Sequence, residues 1–112
     1  MELAAIYRAM ASRLTGKQQE IAQRLYGGEK ANASALVGIG ILSRQGGEVL
    51  KLWQPGKEDM KIQLQRCYHR TRRCMTEYLA RSADAEYGVV YQKLADREGQ
   101  HCTLVAEMLG SL

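Results

Sequence analysis

The sequence predicts an all-α chain that forms an up-down bundle of four helices. The 112 residues include a single proline and are rich in Ala, Leu, Glu, Gln, Lys and Arg, which favour helices. Apolar residues recur every three or four positions through four segments, as on the buried face of a helix. Short turns separate the segments, apart from one longer link in the middle. A chain of this length is expected to be one domain, over residues 1–112.

The first half of the chain reads as a short helix, a tight turn and a long helix. The first helix is predicted over residues 2–14 and ends at Thr15-Gly16. The second is predicted over residues 17–44 and closes at Gly46-Gly47. The second helix has a buried row in which polar residues occupy the centre: Ile21, Leu25, Glu29, Asn32, Leu36, Ile39 and Ser43.

The second half repeats this plan after a longer link over residues 46–57, which contains the turn-forming Pro55-Gly56. A third helix is predicted over residues 57–81, and residues 82–86 turn the chain into a fourth helix over residues 87–109. Two helical hairpins joined by one longer crossing link are the plan of a four-helix bundle.

The fourth helix carries two ionisable side chains, Glu98 and His101, on its apolar stripe. Steps of three or four residues from Tyr91 to Val105 pass through both, so both should face the core. Residues three apart lie about one turn from each other, and a carboxylate and an imidazole in this position can hold one metal ion.

These patterns resemble the rubrerythrin branch of the ferritin-like superfamily over nearly the whole chain. The second half carries most of the resemblance, in Asp84-Ala85-Glu86-Tyr87-Gly88 and Tyr91-x-x-Leu94-Ala95-x-x-Glu98-x-x-His101. The first half is similar in Glu29-x-x-Asn32-Ala33-x-x-Leu36, with asparagine in the histidine position. The resemblance implies a ferritin-like bundle with a metal centre of six ligands, and the activity of a non-haem iron oxidoreductase.

The expected carboxylates of the first and third helices are incomplete. Antiparallel helices mirror each other about their turn, so reflecting Glu98 about a turn near Ala83 reaches the position of Cys67 and Tyr68. Gln65 and His69 are nearby there, but no Asp or Glu is. The same operation on Glu29 about the first turn reaches Glu2, near a helix end. The first helix is also short for the family, so either the natural start lies upstream of Met1 or the front of this helix has been lost. The strong candidate ligands are therefore Glu29, Glu98 and His101, and the weaker ones are Glu2, Asn32, Gln65 and His69.

Three interpretations follow from this ligand set. A hydrogen-bonded polar cluster left from an ancestral site is favoured, one Fe or Zn ion held by Glu29, Glu98 and His101 comes second, and a working di-metal centre comes last. A complete di-iron centre is not expected, since two bridged ions normally need about four carboxylates. The sequence thus favours a non-catalytic or weakly metal-binding protein, and the alternative is an iron-dependent oxidoreductase or metal-handling protein that uses the same three residues.

Charge and helix length bear on partners. The formal net charge is +4, and Arg66, Arg70 and Arg73 are spaced as a basic stripe that an anionic partner could contact, although a solvated surface is favoured and nucleic acid is not expected. The short first helix cannot cover longer helices, which predicts a homodimer or a higher homo-oligomer. Three cysteines without a Cys-x-x-Cys motif favour reduced thiols in the cytoplasm. The longest apolar stretch, residues 35–42, is too short to span a membrane.

Overall fold

The computed structural model describes residues 2–40 and 60–111, which contain four α-helices. These are α1 (Glu2–Ala11), α2 (Gly16–Gly38), α3 (Met60–Arg81) and α4 (Gly88–Gly110). Their number and order are those of the predicted four-helix bundle, and the all-α class is confirmed. None of the helices within the described residues combines the length and the apolar character needed to cross a membrane. The predicted link over residues 46–57 lies outside the described residues.

The chain divides into two compact units, residues 1–59 and 60–112, and each described part is a helical hairpin. In the first unit α1 packs on α2. The helices bury apolar side chains, mostly from α1: Leu3, Ala4, Ile6, Tyr7, Met10, Ala11, Ile21, Ala22 and Leu25. Only ten residues form α1, against 23 in α2, so the predicted shortness of the first helix is confirmed.

The turn between α1 and α2 begins earlier than the sequence predicted. The amide of Arg13 donates to the carbonyl of Met10 (2.9 Å), which tightens the chain beyond Ala11 and ends the α-helix there rather than at residue 14. The side-chain amide of Gln19 donates to the carbonyl oxygen of Ala11 (2.9 Å), one of the groups that the end of α1 leaves unsatisfied. Gly16 has a φ of +61°, a conformation that favours glycine and allows α2 to start immediately.

The end of α2 also differs from the prediction. The amide of Ile39 donates to the carbonyl of Ala35 (3.2 Å), and Gly40 adopts a φ of +86°. A glycine in the left-handed region just after a helix is a common terminator, so α2 ends at Gly38 rather than near residue 44. Gly27 lies inside α2 without interrupting the helix. A Cβ added at this position would meet no atom within 4 Å.

In the second unit α3 packs on α4 as an antiparallel hairpin. Tyr78 and Tyr91 stack with their ring centroids 6.4 Å apart, and the guanidinium of Arg81 lies 5.8 Å from the centre of the Tyr91 ring. Further from the turn, a Cβ built on Gly99 would lie 3.5 Å from the sulfur of Met75, an ordinary contact. These contacts define which residues of α3 and α4 lie at the same level.

The turn of the second hairpin is held by Asp84. Its Oδ1 accepts hydrogen bonds from the amides of Tyr87 (2.7 Å) and Glu86 (2.8 Å), which lower the pKa of the carboxyl below its ordinary value, with the bond from Tyr87 contributing most. Asp84 thus stabilises the turn three residues before Tyr87, which is the residue that immediately precedes α4. The stabilisation is complete above the ordinary pKa of 3.8 and is lost as the pH falls through the lower pKa of the folded state.

Gly88 is required by a close approach of the backbone at the start of α4. A Cβ on this residue would overlap the carbonyl oxygen of Ser82. We expect Gly88→Ala to lower the free energy of unfolding by roughly 1–3 kcal/mol, because either the turn or α4 must shift. The matched control is Gly27→Ala, which should raise the free energy of unfolding by up to about 1 kcal/mol because the site is open and helical. Urea denaturation followed by circular dichroism measures both, and equal stabilisation would contradict the close approach.

Candidate functional site

Glu98 and His101 lie on the buried face of α4, as the sequence predicted. They are 1% and 4% exposed. The other buried residues of this face are Gly88, Tyr91, Leu94, Ala95, Val105 and Met108. An ionisable pair surrounded by such residues has lost most of its hydration, and this loss must be offset by pairing, by hydrogen bonds or by a metal ion.

The two side chains approach each other closely. Nδ1 of His101 lies 3.7 Å from Oε2 of Glu98, a distance that is too long for a hydrogen bond and within the range of an ion pair. Two ligand atoms that each lie about 2.1 Å from a tetrahedral or octahedral ion are separated by roughly 3–3.5 Å. A small adjustment of either rotamer would therefore let Glu98 and His101 bind one ion together.

Counting helical turns from the stacked tyrosines pairs Thr71 with Glu98. Two helical turns separate Tyr91 from Glu98 on α4, and the same two turns separate its stacking partner Tyr78 from Thr71 on α3. Reflection about the turn pairs Glu98 instead with Cys67 and Tyr68, one turn further along α3, and that position stays a prediction. The side chain of Thr71 is fully buried.

No residue of α3 supplies a buried carboxylate. The only acidic residue of the helix, Glu77, is exposed. The buried residues of α3 are Gln63, Leu64, Cys67 and Thr71. The bridging carboxylate that the resemblance implies for the third helix is thus absent from α3.

The weaker candidates Gln65 and His69 are both exposed on α3, so they do not share the buried environment of Glu98. The residue missed by the sequence reasoning is Gln63, which is 2% exposed. A signal for it was available, because stepping back by four from Thr71 passes through Cys67 and reaches Gln63. An amide in place of a carboxylate adds a neutral ligand atom and no charge.

In the first unit, the two polar residues predicted to face the core, Glu29 and Asn32, are buried. Glu29 is 8% exposed and Asn32 is 2% exposed, both in the central part of α2. Glu2 is the first residue of α1. The three strong candidates, Glu29, Glu98 and His101, are therefore all buried residues.

The basic stripe on α3 is accessible in part. Arg66 and Arg73 are exposed and Arg70 is half-buried. Beside them, Arg72 places its guanidinium 6.0 Å from the centre of the Tyr68 ring. An anionic partner for Arg66, Arg70 and Arg73 stays a prediction.

Comparison of the chain with protein-family models, with curated proteins and with solved structures finds no match.

In metal-free protein the pair should contribute to folding. We expect His101→Ala to lower the free energy of unfolding by roughly 1–3 kcal/mol, because it leaves the buried Glu98 carboxylate with one neighbour fewer. The control is Gln100→Ala, an exposed position on the same helix, which should change the free energy by less than about 0.5 kcal/mol. Urea denaturation in the presence of a chelator measures both. Equal effects of the two substitutions would remove the pair from the stabilising interactions.

Proposed function

We propose that the chain is a ferritin-like, rubrerythrin-like helical protein that binds a single divalent ion, Fe or Zn, weakly and without catalysing a reaction. The observation that carries the proposal is the buried Glu98 and His101 pair on α4, with its two ligand atoms 3.7 Å apart. A carboxylate oxygen and an imidazole nitrogen are ligands that suit both metals.

Glu29 is the proposed third ligand. It occupies the first position of the Glu-x-x-Asn segment, where the similar family has a ligand. Acidic side chains are rarely buried unless they are paired or bind an ion, and Glu29 is buried in the middle of α2. Two carboxylates and one imidazole would neutralise a divalent ion, and water would complete the coordination shell. When bound, the ion would supply Lewis acidity, while Glu29, Glu98 and His101 would hold it away from bulk solvent.

A di-iron centre is not proposed, because charge and ligand number argue against it. The buried residues of α3 include no carboxylate, since the only acidic side chain of that helix is exposed. Asn32 stands where the similar family has an imidazole, and its amide is a poorer ligand. Two adjacent divalent ions would then lack about half of the carboxylates that ferritin-like sites provide.

The alternative function is an iron-dependent oxidoreductase or a metal-handling protein that uses the same three residues. The buried histidine favours this alternative, since a structural core rarely needs an imidazole beside a carboxylate. The number of bound ions separates the two functions, because the redox chemistry of the similar family depends on a pair of ions.

Metal loading tests the proposal. We expect anaerobic loading with Fe(II), followed by elemental analysis, to give no more than one ion per chain. Glu98→Gln and His101→Ala should abolish the binding, and Glu29→Gln should weaken it by about tenfold or more. The control Asp96→Asn removes an exposed carboxylate from α4 and should leave the binding unchanged. Two ions per wild-type chain would refute the proposal, and full affinity in Glu29→Gln would remove only the third ligand.

A gain of affinity provides the complementary arm of this experiment. Thr71→Asp adds a carboxylate of similar volume at the fully buried position that counting from the tyrosine stack pairs with Glu98, so the ion should bind at least about tenfold more tightly. The metal-free variant should be less stable than the wild type, because a new carboxyl is buried without a cation. Visible absorption of bound Co(II) reports the affinity. Unchanged affinity would show that the ion does not lie between α3 and Glu98.

We also propose that the protein is a cytoplasmic homo-oligomer, minimally a homodimer. Cys67, Cys74 and Cys102 all lie within the described residues and form no disulfide there, which suits a reducing compartment. The ten residues of α1 can cover less than half the length of α2. In the part of α2 that extends beyond α1, the small residues Ala31 and Gly38 are exposed, and Val37 is 59% exposed. Such a face allows close approach of a helix from a second copy.

Sedimentation velocity at micromolar concentration should therefore show a dimer or a larger species. Ala31→Glu should shift the protein toward monomer, since it places a charged side chain at the proposed contact. Gln23→Glu adds the same charge at another exposed position of α2 and should leave the association unchanged. A monomeric wild type would contradict this part of the proposal.

A further inference from the structure

A shallow groove of about 580 Å³ runs between α1 and α2 in the first unit. It is lined by Ala4, Ala5, Arg8, Ala9, Ser12, Tyr26 and Lys30, and we call it the Tyr26 groove. Its volume lies within the range of small-molecule sites. None of its residues is a proposed metal ligand, so a function of this groove is independent of the metal proposal.

Two cations converge on one aromatic ring in this groove. Nζ of Lys30 lies 5.4 Å from the centre of the Tyr26 ring, and the guanidinium carbon of Arg8 lies 6.0 Å from it. Each contact is in the range of a cation-π interaction. Within residues 2–40 and 60–111, neither Arg8 nor Lys30 forms an ion pair with a carboxylate. Both positive charges therefore lie beside the same ring, and an anion that reaches both would be attracted by two cations.

Apart from Ser12, the rest of the groove is lined by alanines and the Tyr26 ring. Ala5 and Ala9 form the side of α1 that faces the groove, and neither has atoms beyond Cβ that could obstruct a flat or hydrocarbon group. Ser12 donates its hydroxyl proton to the carbonyl oxygen of Ala9 (2.7 Å), so its oxygen is left as an acceptor and does not attract an anion. Arg8 and Lys30 are therefore the groups of the groove that attract the charged part of a ligand.

We infer that the Tyr26 groove binds a small organic phosphate. The phosphoryl group lies between Arg8 and Lys30, where a guanidinium and an ammonium together match its double negative charge. The organic group lies over Ala5 and Ala9 and against the ring of Tyr26. Neither half alone fills the groove, so both should be needed for binding.

Phenyl phosphate is the probe that contains both halves. In ¹⁵N-correlated NMR titrations of the metal-free full chain, it should shift the amides of α1 and the first half of α2, with a dissociation constant of about 1 mM or lower. Phenol and inorganic phosphate, titrated separately, should each bind at least about tenfold more weakly. Arg8→Gln and Lys30→Gln should each weaken the binding of phenyl phosphate by about tenfold.

The controls are Arg13→Gln and Arg24→Gln, which remove equally exposed positive charges of the first unit outside the groove. They should change the dissociation constant by less than about twofold. Three outcomes would overturn the inference: no shift at about 20 mM probe, equal weakening in the control variants, or inorganic phosphate binding as tightly as phenyl phosphate. Co-sedimentation with vesicles that contain phosphatidate, without binding of phenyl phosphate, would also overturn it by assigning the surface to a lipid headgroup.

Discussion

The buried contact between Glu98 and His101 is the constraint on which the second hairpin depends. An apolar pair of the same size would fill this part of α4 without any cost of desolvation, and replacing buried ionic groups in this way is often neutral or stabilising. Retaining a carboxylate and an imidazole one turn apart therefore needs compensation from the neighbouring elements. The buried side chains of α3, among them Gln63 and Thr71, are neutral. A divalent cation bound by the carboxylate and the imidazole would offset the cost of burying them.

The contact itself lies within α4, and the turn before α4 sets how this helix packs against α3. Asp84 accepts two backbone amides, and the close approach of Gly88 to Ser82 fixes how α4 leaves the turn. The stacking of Tyr78 on Tyr91 then extends this alignment along the hairpin. The electrostatic surroundings of the pair are in this sense a consequence of the register.

The first hairpin uses its polar residues in two different ways. Glu29 and Asn32 are buried on α2, whereas Arg8 and Lys30 remain exposed around Tyr26. Glu29 and Lys30 are adjacent in sequence, and successive residues of a helix point about 100° apart. One short segment of α2 thus contributes a carboxylate to the interior and a cation to the groove.

By itself the sequence determined the all-α class, the four helices, and the burial of Glu29, Asn32, Glu98 and His101, because these follow from a local period of three to four residues. The ends of α1 and α2 required knowledge of turn geometry, such as the positive φ of Gly40, which periodicity does not contain. Only the tertiary structure decided that Gln63, rather than Gln65, is buried. It alone also brought Arg8 of α1 to the Tyr26 ring of α2. The physical reason is common to these cases: register and convergence depend on how two helices pack across a turn, and a small displacement there moves every later contact by a residue or more.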